Sequence, residues 1–471
     1  MAKILCITSG LSGITLAAMA LVRRLERSGH EVLLATPRPN AELARANTIP
    51  YLQLPPVNFS PAPAVPHFQG PLRPLYRWWY KWRYRHDRRR QAVAALGMDG
   101  FRQILQGQAP DLLLVDIELH EHLMTCYAAG VPTILLSQWF SLWPQPGLPP
   151  LLHDTIPGQG WRGSRLGLRM AWWAWRWQRR WIFGKRNFLS VGTDRRAILR
   201  LYAQELGFPK AAMRENYWPG PITYRHLPVL SMTMWEMEFP HPPRTGLSYI
   251  GPQVLATRAT VRADAATEAR LTAIFADREA RQQQLICCTL SSFQAGDTDF
   301  LQRLIQAVAD RPAWQLVIGL GAKVSPASLG ALPVNVHAFP WIPQLRVLAQ
   351  ADCSINHGGI HTINECIHFR VPMLVYSGKR SDQNGCAARV HFHGLGLMAD
   401  KDRDSPADIA KKIAHVLASQ DIRQRLDLMH QHYRGYAENK VLARYLDHFL
   451  ATRAKSVARN NKSTPLSQIE K

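Results

Sequence analysis

"HGGIHTINE", residues 357–365, packs two histidines, two glycines, a threonine and a glutamate into nine positions between apolar stretches. Upstream, DCSIN (352–356) reads as a buried strand; downstream, IHTINECIHF (360–369) reads as a helix that ends before Val371-Pro372. His357, Gly358 and Gly359 then form the turn from strand end to helix start. At such a turn the first helical N–H groups have no partner inside the helix and the positive end of its dipole faces outward, a setting that suits phosphate. Glycines let phosphate oxygens approach closely. Thr362 adds a hydroxyl in the first turn, and His357 can donate a ring N–H. Glu365, one turn further on, is too far for phosphate and suits the hydroxyls of a ribose. The ligand these residues imply is a nucleoside diphosphate.

The surrounding pattern agrees with such a turn. The first fifty residues read as a strand (3–8), a Ser/Gly turn (9–13), an amphipathic helix ending in RRLERSGHE with Gly29 at its C-terminal cap, and a strand EVLLAT. DLLLVD (111–116) and PTILLS (132–137) continue the alternation, which argues for a parallel sheet with helices on its faces. After a proline-bearing stretch (238–253) the pattern restarts with LICCTL (285–290), WQLVIGL (314–320), NVHAFP (335–340), DCSIN and PMLVYS (372–377). The expected class is α/β with two doubly wound parallel sheets. Residues 1–252 form a first domain, 253–280 a linker and 281–435 a second domain. Residues 436–452 form a C-terminal helix that packs back on the first domain, and 453–471 a polar, disordered tail.

Composition narrows the setting. The hydrophobic fraction of 46% is that of a globular chain. Seven cysteines, odd in number and without C-x-x-C spacing, favour a reducing compartment and no zinc site. No signal peptide is read at the N-terminus, and no apolar run is long enough to span a bilayer. The formal net charge of +23 calls for a partner. Residues 73–90 and 161–186 each carry eight Lys or Arg, with Asp87 the only acid; both are dense in Trp, and the first in Tyr as well. On a helical wheel, Leu166, Met170, Trp173, Trp177 and Trp181 fall on one side and Arg165, Arg169, Arg176 and Arg180 on the other, with Trp172 and Trp175 off the stripe. That is the pattern of a helix lying in the interface of an anionic membrane. Nucleic acid is a competing partner, since Arg interleaved with aromatics also binds phosphate backbones, and a surface that partly covers the core is a third reading. The membrane reading is favoured, with no nucleic acid expected.

The stretch 339–396, FPWIPQLRVLAQADCSINHGGIHTINECIHFRVPMLVYSGKRSDQNGCAARVHFHGLG, resembles the donor-binding signature of the GT-B glycosyltransferases that use UDP-sugars, the family of plant secondary-product and animal glucuronosyl transferases. The shared features are W-x-P-Q, H-x-G followed by a hydroxyl residue and a Glu, x-V-P, and Asp-Gln near a second helix start. The resemblance implies two Rossmann-like domains facing a cleft, with the acceptor bound by the first. Trp341 would stack on the base and Gln344 hydrogen-bond it. His357, Gly359 and Thr362 would hold the diphosphate, Glu365 the ribose, and Asp382 and Gln383 the sugar hydroxyls. Ser292 in TLSSF matches the hydroxyl residue of a first phosphate loop, with Ser291 in place of the usual Gly.

In that family a His after a Gly in the first turn acts as base in an inverting displacement, held by an Asp at the end of a later strand. Here Ile14 falls where the His belongs. Asp116 matches the Asp, and DIELHEH places Glu118, His120 and His122 nearby, at the sheet edge where α/β folds bind ligands. The expected base is His120, or failing it Glu118, oriented by Asp116; the rival expectation is that Asp116 caps the next helix and both histidines face solvent. DTD (297–299) is too short a motif to assign a metal, and the helix-end site handles leaving-group charge without one. The expected function is metal-independent transfer from a UDP-sugar, as co-substrate and without further cofactor, to a lipophilic acceptor, by a cytoplasmic protein peripheral to the inner face of a membrane. The rivals are an accessory subunit that binds nucleotide sugar, which Ile14 would permit, and a membrane or nucleic-acid binding module that retains the fold.

Overall fold

The apolar runs become two parallel sheets. The computed structural model describes residues 1–59, 69–215, 220–225, 227–259, 264–289, 298–321 and 324–462. The N-terminal sheet contains β1 (Lys3–Ile7), β2 (Glu31–Pro37), β3 (Tyr51–Leu54), β4 (Leu112–Asp116) and β5 (Thr133–Ser137). After a separate antiparallel pair, β6 (Met213–Glu215) and β7 (Ile222–Tyr224), come β8 (Val229–Ser231) and β9 (Leu247–Tyr249). The sheet order is β3-β2-β1-β4-β5-β8-β9. The C-terminal sheet contains β10 (Gln284–Thr289), β11 (Trp314–Gly319), β12 (Val336–Phe339), β13 (Cys353–Asn356), β14 (Met373–Tyr376) and β15 (Gly396–Ala399), in the order β12-β11-β10-β13-β14-β15. All pairings in both sheets are parallel. The expected α/β class with two doubly wound sheets is what the chain forms. In each sheet the strand order reverses beside the first strand, so the crevices lie beyond the carboxyl ends of β1 and β4 and of β10 and β13.

Burial explains the strand runs: every residue of β4 (LLLVD) is buried, as befits a strand covered by helices on both faces. The helix Ser12–Arg27 presents Ile14, Ala17, Ala18, Leu21, Val22 and Leu25 to the sheet, each large aliphatic side chain contributing roughly 1.5–3 kcal/mol when fully buried. It stops where Gly29 takes φ +84°, and the Gly29 N–H returns to the Glu26 carbonyl at 2.9 Å. Leu442 and Leu446, on the helix Val441–Lys462, sit in the same core as Val22 and Leu25. That helix reaches into the stretch expected as a tail; residues 463–471 lie outside the described residues.

The two halves are joined by a buried ion pair. Arg389, on the helix Gln383–Phe392, directs Nε and Nη2 to Glu238 Oε2 at 3.0 and 2.5 Å. The other oxygen of Glu238 accepts the Ser141 N–H at 2.5 Å and the Tyr249 hydroxyl at 3.1 Å. Phe140 and Phe239 each lie 4.6 Å from the guanidinium carbon. Both charges are removed from water, and such a pair persists because its remaining hydrogen-bonding capacity is filled.

Candidate functional site

On the C-terminal side the helix Ile360–Phe369 starts at Gly359 without any side-chain cap. Gly358, at φ +80°, abuts the next helix start: a Cβ there would stand 2.8 Å from the Gln383 carbonyl oxygen. Only glycine lets these two helix N-termini meet, and their meeting brings His357 and Gly359 beside Asp382 and Gln383. The Gly358 N–H donates to Asn356 Oδ1 at 2.9 Å, which fixes the turn. Burial pushes the His357 imidazole down to about 4, with a bond to the Thr289 backbone opposing, and its Nδ1 has no partner. His357 is therefore neutral at pH 7, with one ring nitrogen left unpartnered.

One turn along, three expected residues converge. Gln344 Nε2 donates to Glu365 Oε2 at 2.6 Å and to Thr362 Oγ1 at 3.3 Å. The second Glu365 oxygen receives Arg258 Nη1 at 2.5 Å. Arg258 lies after β9, among the expected linker residues, and sequence reading missed it because its partner is 107 positions away. An open pocket of about 390 Å³ beside this cluster is lined by Arg258, Gln344, Arg346 and Phe369, among others. Trp341 is half-buried in the turn after β12. Asp382 is buried, and burial pushes its carboxyl up to about 6; it accepts bonds from the Cys386 thiol and the Ile360 N–H, so it faces the helix start. Gln383 Oε1 is buried without a partner. Ser292 lies outside the described residues.

On the N-terminal side Asp116 ties two loops together. Its Oδ2 accepts the Ser9 N–H and its Oδ1 the Glu118 N–H, both at 3.1 Å. Burial raises its pKa against those bonds. His120 does not reach it. The ring Nδ1 bonds the Tyr224 hydroxyl at 2.9 Å, the ring presses on Gly220, and burial pushes the imidazole down to about 3. His122 is also buried, edge-on to Phe101 at 4.7 Å. The rival expectation of solvent-facing histidines fails because the helix His120–Ala128 turns nearly all of its first two turns into the core. Glu118 is half-buried, its carboxyl pushed up to about 7 by burial and by Asp116; the polar side chains of Trp139 and Gln138 nearby and the Arg195 charge oppose the rise.

The place of the expected family base is occupied differently. Ile14 has no exposure and belongs to the core. The cleft-facing residue is Gly13, and a Cβ there would stand 2.6 Å from His361 Cδ2. His361 comes from the opposite half, and its Nε2 meets Gln138 Oε1 at 2.8 Å. Gln138 was missed, although its place directly after β5, on the carboxyl edge of the sheet, was a usable signal.

Beside this cleft lies the aromatic, basic surface. The helix Arg73–Arg83 buries none of its residues. Trp78 lies 5.9 Å from Phe188 of the helix Arg165–Ser190, so the two segments form one surface. In the longer helix Leu168, Trp172, Trp175 and Phe183 face inward, and Trp172 Nε1 donates to the Leu148 carbonyl at 2.7 Å. The stripe Leu166, Met170, Trp173, Trp177 and Trp181 faces outward, at 47–64% exposure. No helix among the described residues is long and apolar enough to cross a membrane, and among them no cluster of three or more His, Cys, Asp or Glu could hold a metal ion.

Comparison with known proteins places this geometry. Residues 302–433 match the family model of the C-terminal domain of erythromycin biosynthesis protein CIII-like proteins. Oleandomycin glycosyltransferase of Streptomyces antibioticus is 31% identical over 151 residues, 32% of this chain and 34% of the relative. Zeaxanthin glucosyltransferase of Pantoea ananas is 35% identical over 83 residues, 18% of this chain and 19% of the relative. The matched stretch thus spans about a third or less of these relatives' length. The solved structure of the glycotransferase of kitacinnamycin superimposes with a TM-score of 0.66 at 18% identity, covering 95% of this chain and 98% of that one. The fold is that of the GT-B glycosyltransferases, and the resemblance seen in residues 339–396 is borne out by relatives that are themselves glycosyltransferases.

Proposed function

We propose that the protein transfers a sugar from a nucleoside diphosphate sugar, with UDP-sugars the first to test, to a hydroxyl of a lipophilic acceptor, inverting the anomeric centre without a metal. The observation that carries this reading is the junction of two helix starts at Gly358. It sets the uncapped amides after Gly359 and a neutral His357 next to Gln383, one turn from the Gln344–Glu365–Arg258 cluster. In the transition state negative charge grows on the leaving diphosphate, where oriented amides, the helix dipole, Thr362 and His357 stabilise it in place of a cation. Glu365 takes the ribose hydroxyls, Trp341 and Gln344 the base, and Asp382 and Gln383 the sugar.

Glu118 is the base that the cleft supports. A carboxyl held near pH 7 is matched to the work of taking a proton at neutral pH. The acceptor oxygen attacks the anomeric carbon as its proton passes to Glu118; the new C–O bond forms while the bond to the diphosphate breaks on the opposite face, so one displacement inverts the centre. Asp116 holds the Ser9 and Glu118 loops, and His120 supports the wall of the site through Tyr224. Glu118→Gln should lower the transfer rate about 10²- to 10⁴-fold with donor saturating. Because the carboxylate is the working form, wild-type kcat/KM should rise with pH through about 7. The assay is mass spectrometry of products from UDP- and dTDP-sugars mixed with a lipid extract, and an unimpaired E118Q rate refutes the base.

The outward Trp stripe with its flanking arginines supports residence at the cytoplasmic face of an anionic membrane, with the acceptor taken from the lipid. The name of the zeaxanthin relative supports a lipophilic acceptor. One observation favours an accessory role instead, the burial of Ile14 where the family carries its base; release of UDP only when acceptor is present decides against it.

A further inference from the structure

The guanidinium on Glu365 is carried by a stretch of chain that is seated on the other half of the molecule. Leu255 packs against the core that holds Val22 and Leu25, and the Arg258 N–H returns to the Leu255 carbonyl at 3.1 Å. The next residue, Ala259, donates its N–H to Asn47 Oδ1 at 2.7 Å, at the end of the helix Ala41–Ala46. From this anchored backbone the Arg258 side chain crosses to the helix Ile360–Phe369, where Nη1 meets Glu365 Oε1 at 2.5 Å. The contact is withdrawn from water, with 17% of the Arg258 side chain and 6% of the Glu365 side chain exposed. Glu268, at the same pocket, is taken by Arg346 and does not compete for Arg258.

Glu365 is thus held from two sides, Oε1 by Arg258 and Oε2 by Gln344, and its carboxylate cannot rotate without losing one of the two bonds. A carboxylate offers about four acceptor positions. Two protein donors leave one position on each oxygen. A ribose diol fills both, and a 2′-deoxyribose fills one. We propose that Arg258 is a positioning residue: it fixes Glu365 as a paired acceptor for the vicinal hydroxyls of a ribose, and so selects ribonucleotide donors over 2′-deoxyribonucleotide ones. This rests on the assignment of Glu365 to the ribose. A site whose polar groups are fixed in advance is left with one unpaired when the matching hydroxyl is missing, and that is what makes it selective. Because the backbone of Arg258 is tied to Asn47, the selection holds only while the two halves are docked.

The experiment is calorimetry of UDP and of 2′-deoxyuridine diphosphate on the full-length protein. The wild type should favour UDP by about tenfold. Arg258→Met, which keeps the apolar stem and removes the donors, should weaken UDP about tenfold and the deoxy analogue by less, so that the preference falls toward one. Arg258→Lys, which retains a charged donor, should recover part of the preference. Each preference is a ratio measured on one preparation, so an unfolded fraction lowers the number of sites and not the ratio. If R258M weakens both ligands equally, Arg258 holds the linker rather than the acceptor of the diol, and the positioning role fails while the donor reading stands. If R258M binds UDP more tightly, the guanidinium blocks the site and the inference is overturned. If the wild type binds the two ligands alike, or if Glu365→Ala keeps the wild-type preference, the ribose assignment is wrong and the inference falls with it.

Discussion

The two halves share one architecture and differ in where their chemistry is written. In the C-terminal half the residues proposed to hold the donor cluster along the chain: Trp341 and Gln344, His357 to Glu365, and Asp382 with Gln383 all fall within some forty positions. In the N-terminal half the cleft is assembled from Gly13, Asp116, Glu118 and Gln138, completed by His361 from the other side. A pyrophosphate asks for one local device, amides at a helix start, which a strand–turn–helix supplies within ten residues. An acceptor hydroxyl asks only for a base at a sheet edge, and any of several loops can bring one there.

If that contrast is right, the seam between the halves should be the place where a single change affects both. Arg389→Met removes the guanidinium that lies against Phe140 and Phe239 and leaves the buried Glu238 carboxylate with its Oε2 without a partner. Breaking a buried pair from one side costs about 3–5 kcal/mol, so urea unfolding of R389M should show a loss of that size. Replacing both members, Arg389→Met with Glu238→Leu, should recover part of it. A loss of under about 1 kcal/mol would mean that the halves are held elsewhere, chiefly through Leu442, Leu446 and Tyr436.

The donor half can be probed alone. Glu365→Ala removes the acceptor of the bonds from Gln344 and Arg258 and the group assigned to the ribose. Hydrogen bonds to a charged group contribute about 1.5–3 kcal/mol, so calorimetry should find UDP bound about 10- to 100-fold more weakly. Its binding to lipid vesicles should be unaltered. Unchanged UDP affinity would sink the donor assignment and with it the contrast between the halves.

The same contrast explains what could be read without coordinates. The strands β1, β2, β4, β5 and β10 to β14 were legible because buried parallel strands leave apolar runs, and β4 is buried at every position. The strand–turn–helix at 353–369 was legible because glycine, histidine and a helix start are neighbours in sequence. Arg258 and Gln138 were not, since each acquires its meaning from a partner more than a hundred positions away. His120 misled for a related reason: its spacing from Asp116 suits a catalytic pair, but the first turn of its helix points at Tyr224 and Gly220. The short strands β3, β8 and β9 carry too few residues for periodicity to register.

The aromatic helix is the last place where the halves part, and the effect there should be small on stability and large on location. A helical wheel finds two apolar groups on 165–181 but cannot say which one meets the core. Trp172 and Trp175 do, so the Trp173, Trp177 and Trp181 stripe is left to water, with Trp177 and Trp181 stacked 6.2 Å apart. Changing those three to serine removes little packing within the fold, and surface substitutions of this kind shift stability by within about 0.5 kcal/mol each. UDP affinity should be retained. Flotation with vesicles of phosphatidylcholine and phosphatidylglycerol should fall sharply, and for the wild type it should weaken as salt screens the arginines. If the triple variant floats as the wild type does, the arginines alone bring the protein to the surface and the outward stripe serves another partner.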